Sequence, residues 1–414
     1  MNRKEIREIK KRFSPDMNNF GHIYGCYVNA AREVITYMDS PTMLMENEER
    51  EMYMKTLKKV LSGALGRNLL DVEFSTAQVE DSDEHRLLQT LRTSHLSNET
   101  MRKILFQRII DSVDMGDTGY VILLAADAYD VPYKDSGSDE WSEESTDQFE
   151  YFVCCLCPVK DPKGALRYLA EEKNFRGAST GSILGAPDMG FMFPTFDDRM
   201  TNIYQALYYT RSSADVHSDF LKAVFNLDKL PMAANTQKNA FDSALADSLK
   251  DECDIDVVKA LHSQIGEKID LLKEAKSDEA PEIHINELEE ILMKSGTSDE
   301  AIEKFHDTCK QYFEGEEFFN PENLINRRQF KIETPEVNVS VDPEHAFGIR
   351  TEVIDGRSYL MIPISEGITV NGVDVSIPHS TELIKLMRII IMKTESLNDV
   401  RLSVCFVWIS CLIT

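Results

Sequence analysis

Two runs of apolar, β-branched and aromatic residues dominate the first two thirds of the chain. Residues 119–131 read GYVILLAADAYDV, and residues 151–159 read YFVCCLCPV. Both runs are too short for a buried helix and both are bounded by turn residues, so they predict two neighbouring core strands. The connector between them has almost no hydrophobic residue other than Trp141, and its acidic residues are Asp135, Asp139, Glu140, Glu143, Glu144 and Asp147. We therefore expect a buried hairpin with a solvated acidic loop.

Helical periodicity precedes this hairpin. The predicted segments are helices at residues 2–13, about 40–61 and 84–113, the last broken at 94–98, and a short strand at 25–28. Ser97 or Asn98 would cap the helix that follows the break, with Glu99 in its first turn. Because the two hairpin strands are joined by a loop and not by a helix, this order predicts an α+β fold.

The middle of the chain is predicted to be mostly helical. Residues 191–196 predict a short strand, and the aromatic run at 203–210 predicts a helix. After Pro231, Asn235 or Thr236 would cap one helix, and the caps predicted for two later helices are Asp254 and Ser298.

Polar and apolar residues alternate again from about residue 327. Asp355-Gly356 and Asn371-Gly372 are hairpin turn signals, so this stretch predicts an antiparallel meander of about four strands. We expect four parts: an α+β body at 1–230, a helical segment at 231–325, the β-meander at 326–376 and an atypical apolar tail at 377–414.

Composition and charge restrict the class of protein. The chain has 414 residues, of which 42% are hydrophobic and 28% charged, as in an ordinary globular protein. The formal net charge of −26 disfavours nucleic-acid and anionic-membrane partners at long range. The start of the chain has no apolar signal sequence, no run is long enough for a membrane span, and the 8 cysteines indicate reduced thiols. These features predict a soluble cytoplasmic protein without a cofactor.

The first candidate for chemistry is the stretch Ser62-Gly63-Ala64-Leu65-Gly66-Arg67-Asn68. Its glycines and its arginine could cradle a phosphate, but the Lys and Ser or Thr of a P-loop are missing. The favoured interpretation is a glycine cap at the end of a helix, leading into a strand at residues 69–74.

Asp197, Asp198 and Arg199 are the candidate catalytic residues. The two carboxylates could bind a metal or act as an acid and base pair. They could equally cap the helix predicted after them and pair with Arg199, which is the favoured interpretation. The sequence contains no Ser-His-Asp order, HExxH or paired-glutamate motif that would favour catalysis.

Cys154, Cys155 and Cys157 lie in the second core strand. Cys155 and Cys157 would share one face, while Cys154 points to the other. A zinc site usually takes pairs of ligands from loops, and no second CxxC or His pair follows. We predict buried thiols and no metal site.

The candidate binding residues lie in two places. Tyr129 and Asp130 end the first core strand, where any site of the body is expected. Arg327 and Arg328 belong to the only basic cluster after the N-terminus. The N-terminal basic residues, a second candidate for nucleic-acid contact, are Arg3, Lys4, Lys10, Lys11 and Arg12.

Several stretches together resemble one bacterial family. They are MNRKEIREIKKRF, GCYV, LSGALGRNLLDVEF, YVILLAADAYDVP, FMFPTFDDRMTNIYQALYYT and IDGRSYLMIPI. This combination resembles the Firmicutes family described as domain of unknown function 4317, and the resemblance ends near Val373. The family implies no assigned activity or site residue. The order of body, helical segment and β-meander is also similar in layout to the bacterial nucleoid-associated protein family.

Three functions are compatible with the sequence. The first is a non-enzymatic interaction protein, either a homodimer or bound to a protein partner, with a groove between the body and the C-terminal sheet. The second is association with nucleic acid or the nucleoid, and the third is a carboxylate- or metal-dependent enzyme using Asp197 and Asp198.

Overall fold

The computed structural model describes residues 1–134, 141–142, 148–160, 165–169, 174–178, 181–227, 229–364 and 367–375. The side chains of residues 133–134, 141–142, 165–169 and 174–178 are not among those described. Three predicted features lie outside the described part of the chain: most of the acidic connector, the side chain of Trp141 and the tail at 377–414.

The helices combine one core-facing stripe with a solvent-facing side, as amphipathic sequences require. They are α1 Arg3–Lys11, α2 Asn47–Lys58, α3 Thr76–Asp81, α4 Asp83–Thr93, α5 Glu99–Ser112, α6 Ser218–Phe225, α7 Ala234–Leu249, α8 Ile255–Glu274, α9 Ile285–Lys294, α10 Asp299–Tyr312 and α11 Pro321–Leu324. Short 3-10 segments are Thr42–Leu44, Lys59–Leu61, Lys250–Glu252 and Pro343–Gly348. Asn98, Asp254 and Ser298 accept hydrogen bonds from the first turns of α5, α8 and α10, which confirms these three predicted caps.

The strands pair antiparallel throughout. They are β1 His22–Val28, β2 Val34–Pro41, β3 Leu69–Glu73, β4 Tyr120–Asp130, β5 Tyr133–Lys134, β6 Trp141–Ser142, β7 Gln148–Lys160, β8 Ala165–Leu169, β9 Asn174–Ala178, β10 Ile183–Leu184, β11 Met189–Phe193, β12 Thr195–Asp197, β13 Met200–Asn202, β14 Gln205–Thr210, β15 Ile283–His284, β16 Phe318–Phe319, β17 Phe330–Glu333, β18 Asn338–Val341, β19 Arg350–Ile354, β20 Arg357–Met361, β21 Ile368–Val370 and β22 Val373–Val375. The mixture of helices and antiparallel sheets confirms the predicted α+β class.

An eight-stranded sheet forms the centre of the body. Its order is β2-β1-β4-β7-β11-β14-β3, with β10 paired to β7. The predicted core hairpin is β4 and β7, which pair from Tyr120 opposite Pro158 to Asp130 opposite Gln148. Strand β3 forms the edge beside β14, opposite the edge formed by β2.

Helices cover both faces of this sheet, so its central strands are apolar on both sides. On β7, Phe152 and Cys154 pack with α4, α5 and α6 in one core. Val153 and Cys155 pack on the opposite face with α1 and α2 in a second core. Alternate side chains of a strand point to opposite faces, and burial of both faces therefore requires an uninterrupted apolar run.

One helix predicted from such a run is wrong, and another predicted helix begins later than expected. Residues 203–210 were expected to be helical, but Gln205–Thr210 is strand β14. Tyr208 packs in one core and Leu207 in the other, and a short run buried on both faces cannot be told from a buried helix by periodicity. The helix expected from about residue 40 begins at Asn47, because Val34–Pro41 forms the largely exposed edge strand β2.

The helical segment has a third core, formed by α7 to α10 with the β15–β16 pair. Phe241, Ile265, Leu288 and Phe305 are among its buried residues. Neither predicted cap of the first helix was correct, because α7 begins at Ala234 and has no side-chain cap.

The C-terminal strands pair as three two-stranded hairpins, β17–β18, β19–β20 and β21–β22, rather than as one continuous meander. Asp355 and Asn371 have positive φ, as the predicted turns require.

By its internal contacts the chain divides into one unit at Met1–Glu344 and a second at His345–Thr414. No helix among the described residues is long and apolar enough to cross a bilayer.

Replacing Gly190 with alanine is expected to destabilise the sheet by about 1–3 kcal/mol, because extra atoms in a packed core force strain. The added Cβ would clash with the Cys154 carbonyl oxygen and lie 2.8 Å from Cγ2 of Val60. Gly266 in α8 is the control, since a Cβ added there would have no atom within 4 Å apart from its chain neighbours and the backbone of its own helix. Gly266→Ala is expected to stabilise by up to about 1 kcal/mol. Urea unfolding followed by circular dichroism measures both changes, and equal effects would contradict the packing argument.

Candidate functional site

Helix α1 is fixed to the body by polar side chains at the end of the core hairpin. Arg199 donates from Nη1 to both oxygens of Glu8, at 2.7 and 2.9 Å, and from Nη2 to the Pro132 carbonyl at 3.0 Å. The Tyr129 hydroxyl donates to Glu8 at 2.7 Å. Burial, and then the hydrogen bond to Glu8, raise the pKa of Tyr129 to about 12. Tyr129 and Arg199, predicted as separate candidates, therefore meet on Glu8.

A second polar contact joins α1 to the carboxylate of Asp127, which is almost completely buried. Arg12 donates from Nε and Nη2 to the two oxygens of Asp127, at 2.8 and 3.0 Å. The side chain of Asp127 is only 1% exposed, and the Tyr151 hydroxyl donates to it at 3.0 Å. Burial raises the pKa of Tyr151 well above its ordinary value. We call Glu8, Arg12, Asp127, Tyr129, Tyr151 and Arg199 the α1 anchor.

Asp197 and Asp198 do not cap a helix. They belong to the β12–β13 hairpin, in which Asp197 pairs with Met200 and the turn residues Asp198 and Arg199 have φ of 48° and 60°. The segment that follows is strand β14, so the predicted capping role is wrong. Asp197 accepts from Asn202 at 3.3 Å, and the predicted pair of Arg199 with either carboxylate is replaced by its pair with Glu8.

Asp130 lies at the end of β4, where Gln148 of β7 donates to its carboxylate at 2.9 Å. Asp130 is not part of the α1 anchor, and neither it nor Tyr129 lines either of the two large cavities described below.

A different cavity concentrates positive charge. We call it the basic cleft, and its volume is about 740 Å³. Its lining comes from the loop before β3, the chain after β14, helices α7, α8 and α11, and the segment that follows α11. The cationic lining residues are Arg67, Arg211, Lys238, Lys273, Arg327 and Arg328. Glu322 is the single carboxylate among the described lining residues. In a chain of net charge −26, this is a strong local reversal of sign.

Four of the six cations share their charge with carboxylates of the protein. Arg327 pairs with Asp270 at 2.8 Å, Lys238 with Asp242 at 2.9 Å and Lys273 with Glu322 at 3.2 Å. Arg211 pairs with Asp188. Arg67 and Arg328 are exposed and have no carboxylate partner within the described ranges. The two unpaired guanidinium groups are therefore available to an anion.

Neutral residues complete the lining. Ala234 and Asn235 in the first turn of α7 line the cleft, and this helix end has no side-chain cap and carries a partial positive charge. The Asn235 N–H donates to the Ser213 carbonyl at 2.9 Å. Asn323 is 4% exposed and donates to the Gly66 carbonyl at 2.8 Å, which fixes the loop that carries Arg67. Gly66 has φ of 73°, a conformation that favours glycine. The 3-10 segment before this loop ends at Leu61 and its C-cap is Ser62, while Gly63 does not have a positive φ. The predicted glycine cap is therefore wrong, although the predicted strand follows as β3.

The cysteines of β7 are buried as predicted. Cys155 and Cys157 face the same core with their sulfurs 3.8 Å apart, and Cys154 faces the other. The hydrogen bond with Cys157, and then burial, raise the pKa of Cys155 well above its ordinary value. The described residues contain no cluster of three or more His, Cys, Asp or Glu side chains that could hold a metal ion.

The fold and the cleft define an α+β protein with a cationic cavity of ligand size between its sheet and its helical segment. The chain belongs to the family described as Domain of unknown function (DUF4317), whose model matches residues 1–373. No curated protein matches the chain. The resemblance inferred from the sequence is thus confirmed for the family, and the likeness in layout to nucleoid-associated proteins stays a prediction.

Part of the cleft could be recognised in the sequence. The sequence marks Arg327 and Arg328 as candidate binding residues, and it offers the loop with Arg67 as one candidate phosphate cradle. Arg211, Lys238 and Lys273 were missed, because single cations on separate elements form no local pattern. Only the packing of the helical segment against the sheet brings them together.

Proposed function

We propose that this protein is a non-enzymatic binding protein whose basic cleft takes a small ligand with phosphate groups. The carrying observation is the set of six cations around one cavity in an acidic chain. Arginine presents a planar fork of donors that matches phosphate oxygens, and four of the six cations are arginines. The partial positive charge of the α7 N-terminus beside them also favours an anion.

Binding, and not turnover, agrees with the described lining. A general base must be free to accept a proton within hydrogen-bond reach of the ligand. Glu322, the one carboxylate of the described lining, already pairs with Lys273 at 3.2 Å. Asp197, Asp198 and Arg199 lie outside the lining of the cleft, and Arg199 serves the α1 anchor.

A small ligand is favoured over nucleic acid by size and by charge. The cleft volume of about 740 Å³ falls in the range of small-molecule sites. The N-terminal basic residues are partly occupied within the chain, since Arg12 pairs with Asp127 and Arg3 donates to the Ser277 carbonyl at 3.2 Å. The net charge of −26 opposes a long polyanion more than a compact one.

Titration calorimetry of the purified protein with pyrophosphate, ADP and a short DNA duplex tests this proposal. We expect both small ligands to bind, with an affinity that falls as sodium chloride screens the charges. Absence of heat for both small ligands at millimolar concentration would exclude the phosphate site. Tighter binding of the duplex would favour the nucleic-acid function instead, and turnover of a substrate panel would exclude a purely binding role.

A further inference from the structure

We propose that the protein has a second binding site, a groove along the edge of β3 that takes an extended basic peptide as an added β-strand. This acidic groove has a volume of about 850 Å³ and shares no lining residue with the basic cleft. Six consecutive residues of the edge, numbers 70–75, line it on one side. The opposite side comes from α7, the turn after α10 and strand β16.

The backbone of β3 presents unpaired groups to this groove. The Asn68 carbonyl accepts from Thr210 at 3.0 Å and the Phe74 N–H donates to Tyr204 at 2.8 Å, so even-numbered residues of β3 direct their backbone groups to β14. Odd-numbered residues direct theirs the other way. Leu69 is bonded to the preceding loop, but Asp71 and Glu73 have no backbone partner on the groove side within the described ranges. An unpaired edge of this kind is a template for another strand.

The charge of the groove selects the peptide. Its lining carboxylates are Asp71, Glu73, Asp215, Glu282, Glu314 and Glu316. Lys229 is the one cation among the described lining residues, and it already pairs with Glu316. Glu282 and Glu314 have no cationic partner in the described part of the chain. A peptide with lysine or arginine at alternate positions would place its charges near these groups.

Apolar surface between the carboxylates would hold the remaining side chains. Phe318 of β16 is 57% exposed and lines the groove, together with Leu227, Pro231 and Met232. Strand addition uses backbone hydrogen bonds for affinity and side-chain pockets for specificity. The groove combines both requirements, which is why the occupant is expected to be extended rather than helical.

Three synthetic peptides test the proposal without any change to the protein. The first is a ten-residue peptide in which lysine alternates with valine and threonine, the second has glutamate for each lysine, and the third is the first with alternate amides N-methylated. We expect the basic peptide to bind, and the other two to bind at least about tenfold more weakly. The methylated peptide keeps its charge but cannot pair along one edge, so it separates strand addition from charge attraction.

Two variants locate the site. Glu73→Pro removes an outward N–H, and proline is tolerated on an edge strand, so we expect about a tenfold loss of peptide affinity with β14 still paired. Glu282→Gln with Glu314→Gln removes two unpaired carboxylates without touching β3. The matched control is Glu300→Gln with Glu303→Gln, two exposed residues of α10 that do not line the groove.

If the basic and the methylated peptides bind with equal affinity, the peptide is not bound as an added strand. If the acidic peptide binds as tightly as the basic one, the charge of the groove does not select the peptide. Unchanged affinity in the Glu282 and Glu314 variant would place the peptide elsewhere. A wild-type dimer that Glu73→Pro converts to a monomer would show that a second copy of the chain occupies the edge, which also contradicts the proposal.

Discussion

Replacing Arg12 with alanine is expected to lower the free energy of unfolding by about 3–5 kcal/mol, the usual cost of leaving a buried charge unpaired. Asp127 is 1% exposed and receives two of its hydrogen bonds from Arg12. In the variant the Tyr151 hydroxyl would be the only hydrogen-bond partner left to Asp127 among the described residues. The substitution also removes the guanidinium that lies 4.9 Å from the centre of the Tyr129 ring. Urea unfolding followed by circular dichroism provides the measurement.

Arg7→Ala is the matched control for Arg12→Ala. Arg7 lies on the same helix and pairs with Asp278, but the two side chains are 67% and 36% exposed. An exposed ion pair contributes about 0–1 kcal/mol, so we expect a small effect. Changing Arg12 to methionine together with Asp127 to leucine removes both charges and should recover part of the loss. Equal losses for Arg7→Ala and Arg12→Ala would show that the buried pair does not fix α1.

The core hairpin could be predicted because its sequence determines it locally. The runs that form β4 and β7 are strongly apolar, both ends carry turn residues, and both faces proved buried. The same reasoning failed for β14, where a run of six residues buried on both faces has no period of its own. It also missed β2, an edge strand in which apolar residues such as Ile35 and Tyr37 are exposed and do not alternate with buried ones.

The α1 anchor and the basic cleft show why sites are harder to predict than strands. Glu8 and Arg199 are 191 positions apart in the chain, and nothing in either neighbourhood indicates that they pair. The cleft likewise joins Arg67 to Arg328 across the sheet and the helical segment. Sequence patterns record local periodicity, whereas the anchor depends on how α1 packs against β4 and the β12–β13 turn. The cleft depends on how the segment from α7 to α11 packs beside β3.

The separation of the two cavities would allow an acidic protein to bind an anion, as we propose. The net charge of −26 repels anions at a distance, but a field falls off within about 8–10 Å in physiological salt. Six cations and one carboxylate, Glu322, are among the described residues that line the basic cleft, whereas the described carboxylates of the acidic groove line a different cavity. We therefore expect the two guanidinium groups without a carboxylate partner in the described ranges, those of Arg67 and Arg328, to contribute most to anion binding.

Changing Arg67 and Arg328 together to alanine is expected to weaken pyrophosphate binding by about 100-fold or more. A hydrogen bond to a charged group contributes about 1.5–3 kcal/mol, which is roughly 10-fold to 100-fold in affinity for each side chain. These two arginines have no carboxylate partner in the described structure, so their loss should change the free energy of unfolding by only about 0.5 kcal/mol. Calorimetry gives the affinity, and urea unfolding verifies that the fold is retained.

Changing Lys11 and Lys55 together to alanine is the control for charge alone. Both lysines are exposed, neither lines the cleft, and the pair changes the net charge by the same amount as the arginine pair. Because remote surface charges are screened, we expect this variant to bind pyrophosphate within about threefold of the wild type. Arg328→Lys adds a finer test, since lysine keeps the charge but loses the planar fork, and its affinity should lie between wild type and Arg328→Ala. If the arginine pair and the lysine pair weaken binding equally, the ligand is held by overall charge and the basic cleft is not its site.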